Sequence, residues 1–188
     1  MKGIDFARAR VVVELGVGTG CVTRRILRRM RPDARLISLE INPEFVEEGL
    51  KIGDPRLTVR HACATALPQI LEEEGVDAVD AVVSSLPLSI MDHAVVDQIL
   101  DVARDCLAPG GKFLQYQYSL SQRHRMSTRY SDVAVDFTLL NIPPAFIYDC
   151  SKGPGPSRRA VSVRPAFGSF YAATIAAVAM LVRAIQNY

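Results

Sequence analysis

The sequence contains no tryptophan, and its four cysteines and three histidines are scattered. Cys21, Cys63, Cys106 and Cys150 form no C-x-x-C pair, and His61, His93 and His124 add no ligand spacing, so neither a zinc site nor a disulfide framework is expected. Reduced thiols and a cytoplasmic location follow as the expectation. No signal-peptide pattern opens the sequence. Charge is nearly balanced, with 22 Lys and Arg against 20 Asp and Glu, so net charge argues neither for nor against a nucleic-acid partner. No internal repeat is visible, and no apolar run long enough to cross a membrane occurs before residue 167. What remains is 188 residues, 49% apolar, enough for one domain with a real core.

The most informative segment is Glu14-Leu15-Gly16-Val17-Gly18-Thr19-Gly20. It follows the β-branched run Val11-Val12-Val13 and precedes Val22, Ile26, Leu27 and Met30 at helical spacing. A strand therefore runs into a glycine turn and then a helix. Such a turn lets backbone approach a ligand closely. A dinucleotide fingerprint would place its third glycine at position 21, which is Cys21. The second strand, Arg35 to Glu40, ends in a carboxylate twenty residues past Gly20, where it can accept hydrogen bonds from vicinal ribose hydroxyls.

Leu57 to His61 reads as a third strand, Leu67 to Gly75 as a helix, and Val76 to Ser85 leads into a fourth strand. A helix spans about 92 to 107, with Asp92 as its N-cap. Ala108-Pro109-Gly110-Gly111-Lys112 reads as a turn and Phe113 to Tyr118 as a fifth strand. Strands alternating with helices predict a doubly wound parallel sheet. Val133 to Leu140 and Ala145 to Tyr148 flank Asn141-Ile142-Pro143-Pro144 so closely that they must pair antiparallel.

The E-x-G-x-G-x-G segment resembles motif I of the class I S-adenosylmethionine (SAM) methyltransferases. That resemblance covers residues 8 to 150 and implies an α/β, Rossmann-like fold. Its doubly wound, mainly parallel seven-stranded-type sheet would be closed by an antiparallel hairpin. It further implies SAM as cofactor, held by Glu14, Gly16, Gly18, Gly20 and Glu40, with Ile41 against the adenine and backbone near Cys63 beside it. Many family members carry an acid after the third strand, where this sequence has His61-Ala62-Cys63-Ala64. Relatives also carry N-terminal helices over the cofactor, whereas about ten residues precede the first strand here.

The acceptor site in this family follows the fourth strand. Nucleobase amine methyltransferases place an Asn/Asp/Ser-Pro-Pro-aromatic segment there; this chain has Ser84-Ser85-Leu86-Pro87-Leu88, without the stacking ring. Val83 to Leu88, Lys112 to Ser119 and Leu140 to Ala145 together resemble bacterial-type phospholipid N-methyltransferases, which are related to the ribosomal RNA adenine dimethyltransferases. The resemblance implies methylation of a phosphatidylethanolamine-type head group, with Ser84, Ser85, Pro87 and Tyr118 shaping the acceptor site. Tyr116 shares a strand face with Tyr118. The alternatives are an RNA or other nucleobase N-methyltransferase and a SAM-binding membrane or assembly module without turnover.

Arg123, His124, Arg125 and Arg129 cluster after the fifth strand and read either as a solvated face or as an attraction for anionic lipid. Residues 1–150 are expected to form the methyltransferase domain, 151–166 a linker, and 167–188 an apolar helix. Phe167 to Val182 carries no charge, but a helix of sixteen residues reaches only about 24 Å. Peripheral or C-terminal membrane attachment and packing on the domain or a second copy are both open for it.

Overall fold

The computed structural model describes residues 3–138, 145–153 and 162–165. The hairpin turn with Asn141-Ile142-Pro143-Pro144, most of the linker stretch and the apolar segment 167–188 lie outside the described residues. The chain begins with β1 (Val11–Leu15), α1 (Cys21–Leu27), β2 (Arg35–Glu40), α2 (Pro43–Leu50) and β3 (Leu57–His61). A single 3-10 turn (Ala64–Ala66) leads into α3 (Leu67–Glu73). Then follow β4 (Val79–Ser84), α4 (His93–Cys106), β5 (Leu107–Gln117) and α5 (Arg123–Arg129). The described chain closes with β6 (Asp132–Thr138), β7 (Ala145–Ser151) and β8 (Ser162–Pro165).

The strands form one sheet in the order β3-β2-β1-β4-β5-β7-β6-β8. The first five are parallel, and β7 runs antiparallel to both β5 and β6. This is the expected parallel sheet with its antiparallel closure. One more strand is present: β8, inside the stretch read as linker, pairs parallel with β6.

Alternation along each strand builds two cores. Val13, Leu15, Ile37, Val82, Phe113 and Tyr148 point to the face covered by α3, α4 and α5. Val12, Leu36, Ala81, Val83 and Leu114 point to the other, which buries Ile26 and Met30 together with Ile4 and Phe6 of the N-terminal segment. Burial on both faces explains why the central strands read as continuous apolar runs. Among the described residues no helix is long and apolar enough to cross a membrane.

Two features differ from the sequence expectation. The Pro109-Gly110-Gly111 run is part of β5, not a turn, because its backbone finds partners beyond the end of β7. The Gly110 N–H donates to Lys152 O and the Lys152 N–H to Gly111 O. A register shift against β4 between Val79 and Ala81 absorbs the irregularity. The arginine-rich segment after β5 is helix α5. It buries Met126, Tyr130 just beyond it stacks on Phe113 with centroids 5.4 Å apart, and Arg125 and Arg129 pair with Asp97 and Asp101 of α4.

Candidate active site

Strand ends knit the glycine turn to its neighbours. The Gly16 N–H donates to Leu39 O at the end of β2, and the Ser85 N–H to Leu15 O at the end of β1. Gly16, Gly18 and Gly20 all have positive φ, at 87°, 52° and 74°. A Cβ on Gly16 would stand 3.3 Å from Leu86 Cδ2, so this turn lies directly against the loop after β4. A Cβ on Gly18 would meet nothing within 4 Å. The chain turns back at Gly18 around open space.

Glu14 is wholly buried. Its Oε2 accepts from Thr23 Oγ1 at 2.8 Å and Ser38 Oγ at 2.7 Å, while its Oε1 is buried without a partner among the described residues. Burial pushes this carboxyl up to about 7, against the two hydroxyl donors, which lower it. Glu40 ends β2 with its own backbone partners. Its Oε1 accepts from the Ile41 and Asn42 N–H groups at 2.8 and 2.9 Å, and its Oε2 accepts from the Gly18 N–H at 3.1 Å. A carboxylate offers about four acceptor positions. Oε2 therefore keeps room for one further donor, where the sequence reading has the carboxylate accepting from both vicinal ribose hydroxyls.

The ring of His61 bonds Ile41 O at 2.9 Å through Nε2. Ile41 is thus held by both its N–H and its carbonyl, and its side chain stands 67% exposed beside the turn. An apolar side chain carried on a held backbone in that position suits the face of a flat ring. Cys63 lies exposed past β3, with its sulfur accepting from Thr65 Oγ1.

On the acceptor side Ser84 is buried, and its Oγ accepts from the Leu86 N–H at 3.4 Å. Ser85 Oγ is buried and has no partner among the described residues, and Pro87 is half-buried in the same loop. Tyr118 follows the end of β5; burial raises its phenol. No hydrogen bond among the described residues joins Tyr118 to Ser84 or Ser85. Tyr116 packs against the core on the α1 side, away from α4. Asp92 caps α4 by accepting from the Ala94 and Val95 N–H groups, as expected.

Sequence reasoning missed two glutamines. Gln115 and Gln122 are buried and donate through Nε2 to Leu86 O at 2.8 Å and to Leu88 O at 3.0 Å. They clip the loop after β4 from beneath. A polar residue at position 115, on the strand face of Phe113, was the visible signal.

The family described as a methyltransferase domain matches residues 12–111, from β1 into β5. The chain belongs to this family. It is a class I SAM-dependent methyltransferase. The ornithine lipid N-methyltransferase of Singulisphaera acidiphila is 35% identical over 153 residues, 80% of either chain. Ribosomal RNA small subunit methyltransferase H of Paracidovorax citrulli is 40% identical over 61 residues, 32% of this chain and 20% of that protein. Among solved structures, a 16S rRNA methyltransferase of T. thermophilus in complex with AdoMet and guanosine aligns with a TM-score of 0.57. It is 21% identical, over 76% of this chain and 37% of that one. The arsenic (III) SAM methyltransferase of Chlamydomonas reinhardtii gives 0.60 at 14% identity, over 77% and 64%. These two likenesses support the fold.

The residues present fit SAM. The methyltransferase has open space at Gly18, a spare acceptor on Glu40, an orphaned carboxyl oxygen on Glu14 and an exposed Ile41 around one turn. Glu40→Ala removes the acceptor of three backbone N–H groups. It should lower stability by about 2–3 kcal/mol and the melting temperature by about 5–10 °C. If Glu40 also receives the ribose, SAM affinity falls more than about tenfold, or about 1.4 kcal/mol. Calorimetry on the folded variant reads this directly; an unchanged affinity would put the ribose contact elsewhere.

Proposed function

We propose that this methyltransferase methylates the amine of a lipid head group, of the phosphatidylethanolamine or ornithine-lipid type. The observation that carries the reading is the extent of likeness to the ornithine lipid enzyme, 80% of both chains. The ribosomal RNA methyltransferases are matched over only 20–25% of their length. The acceptor loop agrees. Leu88, where base-methylating relatives place a stacking ring, is fully buried and offers no platform. Ile90 and Leu120, on the loops after β4 and β5, are 60% and 43% exposed and suit an acyl chain.

Bound SAM supplies an electrophilic methyl group. The protein's part is alignment, worth up to about 7–11 kcal/mol in well-oriented systems. The amine must be neutral to attack. Ser85 Oγ, buried and without a partner among the described residues, would accept an N–H and orient the lone pair. The raised Tyr118 phenol stays protonated at neutral pH, so it offers a hydroxyl donor and a ring face rather than a base. Asp92 is engaged by the α4 backbone and is a poor candidate for proton acceptor.

Incubation of the purified protein with methyl-labelled SAM and a total cell extract tests the reading. Label is expected in the organic phase, with chromatography naming the head group. Label confined to the aqueous phase would refute the lipid acceptor in favour of RNA or protein.

A further inference from the structure

Between α4 and α5 lies an open cleft of about 570 Å³. Ser89, His93, Asp97, Ser121, His124 and Arg125 line it. It begins one residue beyond Leu88, whose carbonyl is held by Gln122, itself part of the cleft wall. The cleft is thus continuous with the acceptor loop.

Its cations are unequal. Arg129 is committed to the helix pair: its guanidinium reaches Asp101, Asp97 and the carbonyl of Arg125. Among the described residues the Arg125 guanidinium is engaged through Nη1 alone, with Asp97, and most of its five donors have no partner there. Neither His93 nor His124 has a side-chain partner among the described residues, and both are exposed. Ser121 adds a hydroxyl. Asp97 holds Arg125 in place. Ile90 and Leu120, each next to a lining serine, put apolar side chains at the rim.

A lipid head group with a methylatable amine carries an oxyanion, phosphate or carboxylate, a few bonds from the nitrogen. We infer that the α4–α5 cleft is the subsite for that oxyanion, with Arg125, His93 and His124 as its donors. The inference rests on the lipid head-group reading. The oxyanion docks in the cleft, the amine reaches the loop at Ser85, and the acyl chain leaves over Ile90 and Leu120.

Histidine C2–H resonances of the full chain, saturated with S-adenosylhomocysteine to prevent turnover, test this. The probes are dihexanoyl phosphatidylethanolamine below its micelle concentration and, separately, inorganic phosphate at equal ionic strength. The lipid should shift His93 and His124 and leave His61 in place. Phosphate should shift the same two signals at least tenfold more weakly. Arg125→Gln should weaken the lipid about tenfold, and His124→Gln serves as second variant should Arg125→Gln not fold. Lipid binding that moves other resonances but neither cleft histidine overturns the subsite and leaves the lipid reading standing. Phosphate binding as tightly as the lipid makes the cleft a general anion site and also overturns it. No response to the lipid anywhere overturns the subsite and, together with no label in the organic phase of the extract assay, the lipid reading as well.

Discussion

Gly18→Ala should abolish measurable SAM binding while the protein stays folded. At φ 52° an alanine pays about 1–2 kcal/mol for the left-handed backbone, a melting shift of about 2–8 °C. No neighbour lies within 4 Å of the added methyl, so nothing else in the fold resists it. The open space it enters is the one proposed for the cofactor's approach to the backbone. A loss of at least about 100-fold in affinity is expected, about 2.7 kcal/mol. Gly16→Ala should behave differently, because its Cβ presses on Leu86 and disturbs the acceptor loop as well. Calorimetry and thermal melts on the two variants separate these effects. Retained affinity in Gly18→Ala would show that the cofactor does not use this turn.

Glu14→Gln should remove much of the protein's pH dependence of stability between about 4.5 and 7. The folded state holds the Glu14 proton more tightly than the unfolded chain does, since its carboxyl is raised from 4.5 to about 7. Stability from this group is fully present below pH 4.5 and is lost as pH rises through about 7. The loss amounts to about 3 kcal/mol. Glutamine cannot ionise, so it escapes that loss, but it leaves one buried amide N–H unpaired at about 1–2 kcal/mol. A net gain of about 1–2 kcal/mol at pH 8 and none at pH 5 is expected. Denaturant titrations at the two pH values measure it. Equal differences at both would mean that Glu14 is ionised throughout.

Local pattern made much of this legible. β3 begins and ends where alternation and flanking turns put it, Asp92 caps α4 as its position suggested, and Glu40 closes β2 as a buried carboxylate. The parallel sheet followed from the strand and helix alternation, and its antiparallel closure from the short connection between the last two strand-like segments. What escaped was set by distant partners. Nothing near residue 110 announces Lys152, which turns a Pro-Gly-Gly run into strand. Helix α5 owes its place to Met126 and Tyr130 meeting the core and to two aspartates on α4, not to the propensity of a short arginine-rich stretch. In the site, the glycines and both glutamates were visible as a motif. The prior engagement of Glu40 by three N–H groups was not, nor were the glutamines, whose carbonyl partners lie 29 and 34 residues away.

The clips beneath the acceptor loop are amides, and that has a practical consequence. Neither Gln115 nor Gln122 titrates, and their bonds to Leu86 O and Leu88 O are between neutral groups. High ionic strength shortens the reach of charge to about 3 Å at 1 M and leaves such bonds nearly untouched. Salt therefore acts on the ion pairs of α4 and α5 while the loop keeps its shape. A salt series on the purified enzyme separates how tightly an acceptor is captured from how well it is presented to the methyl donor.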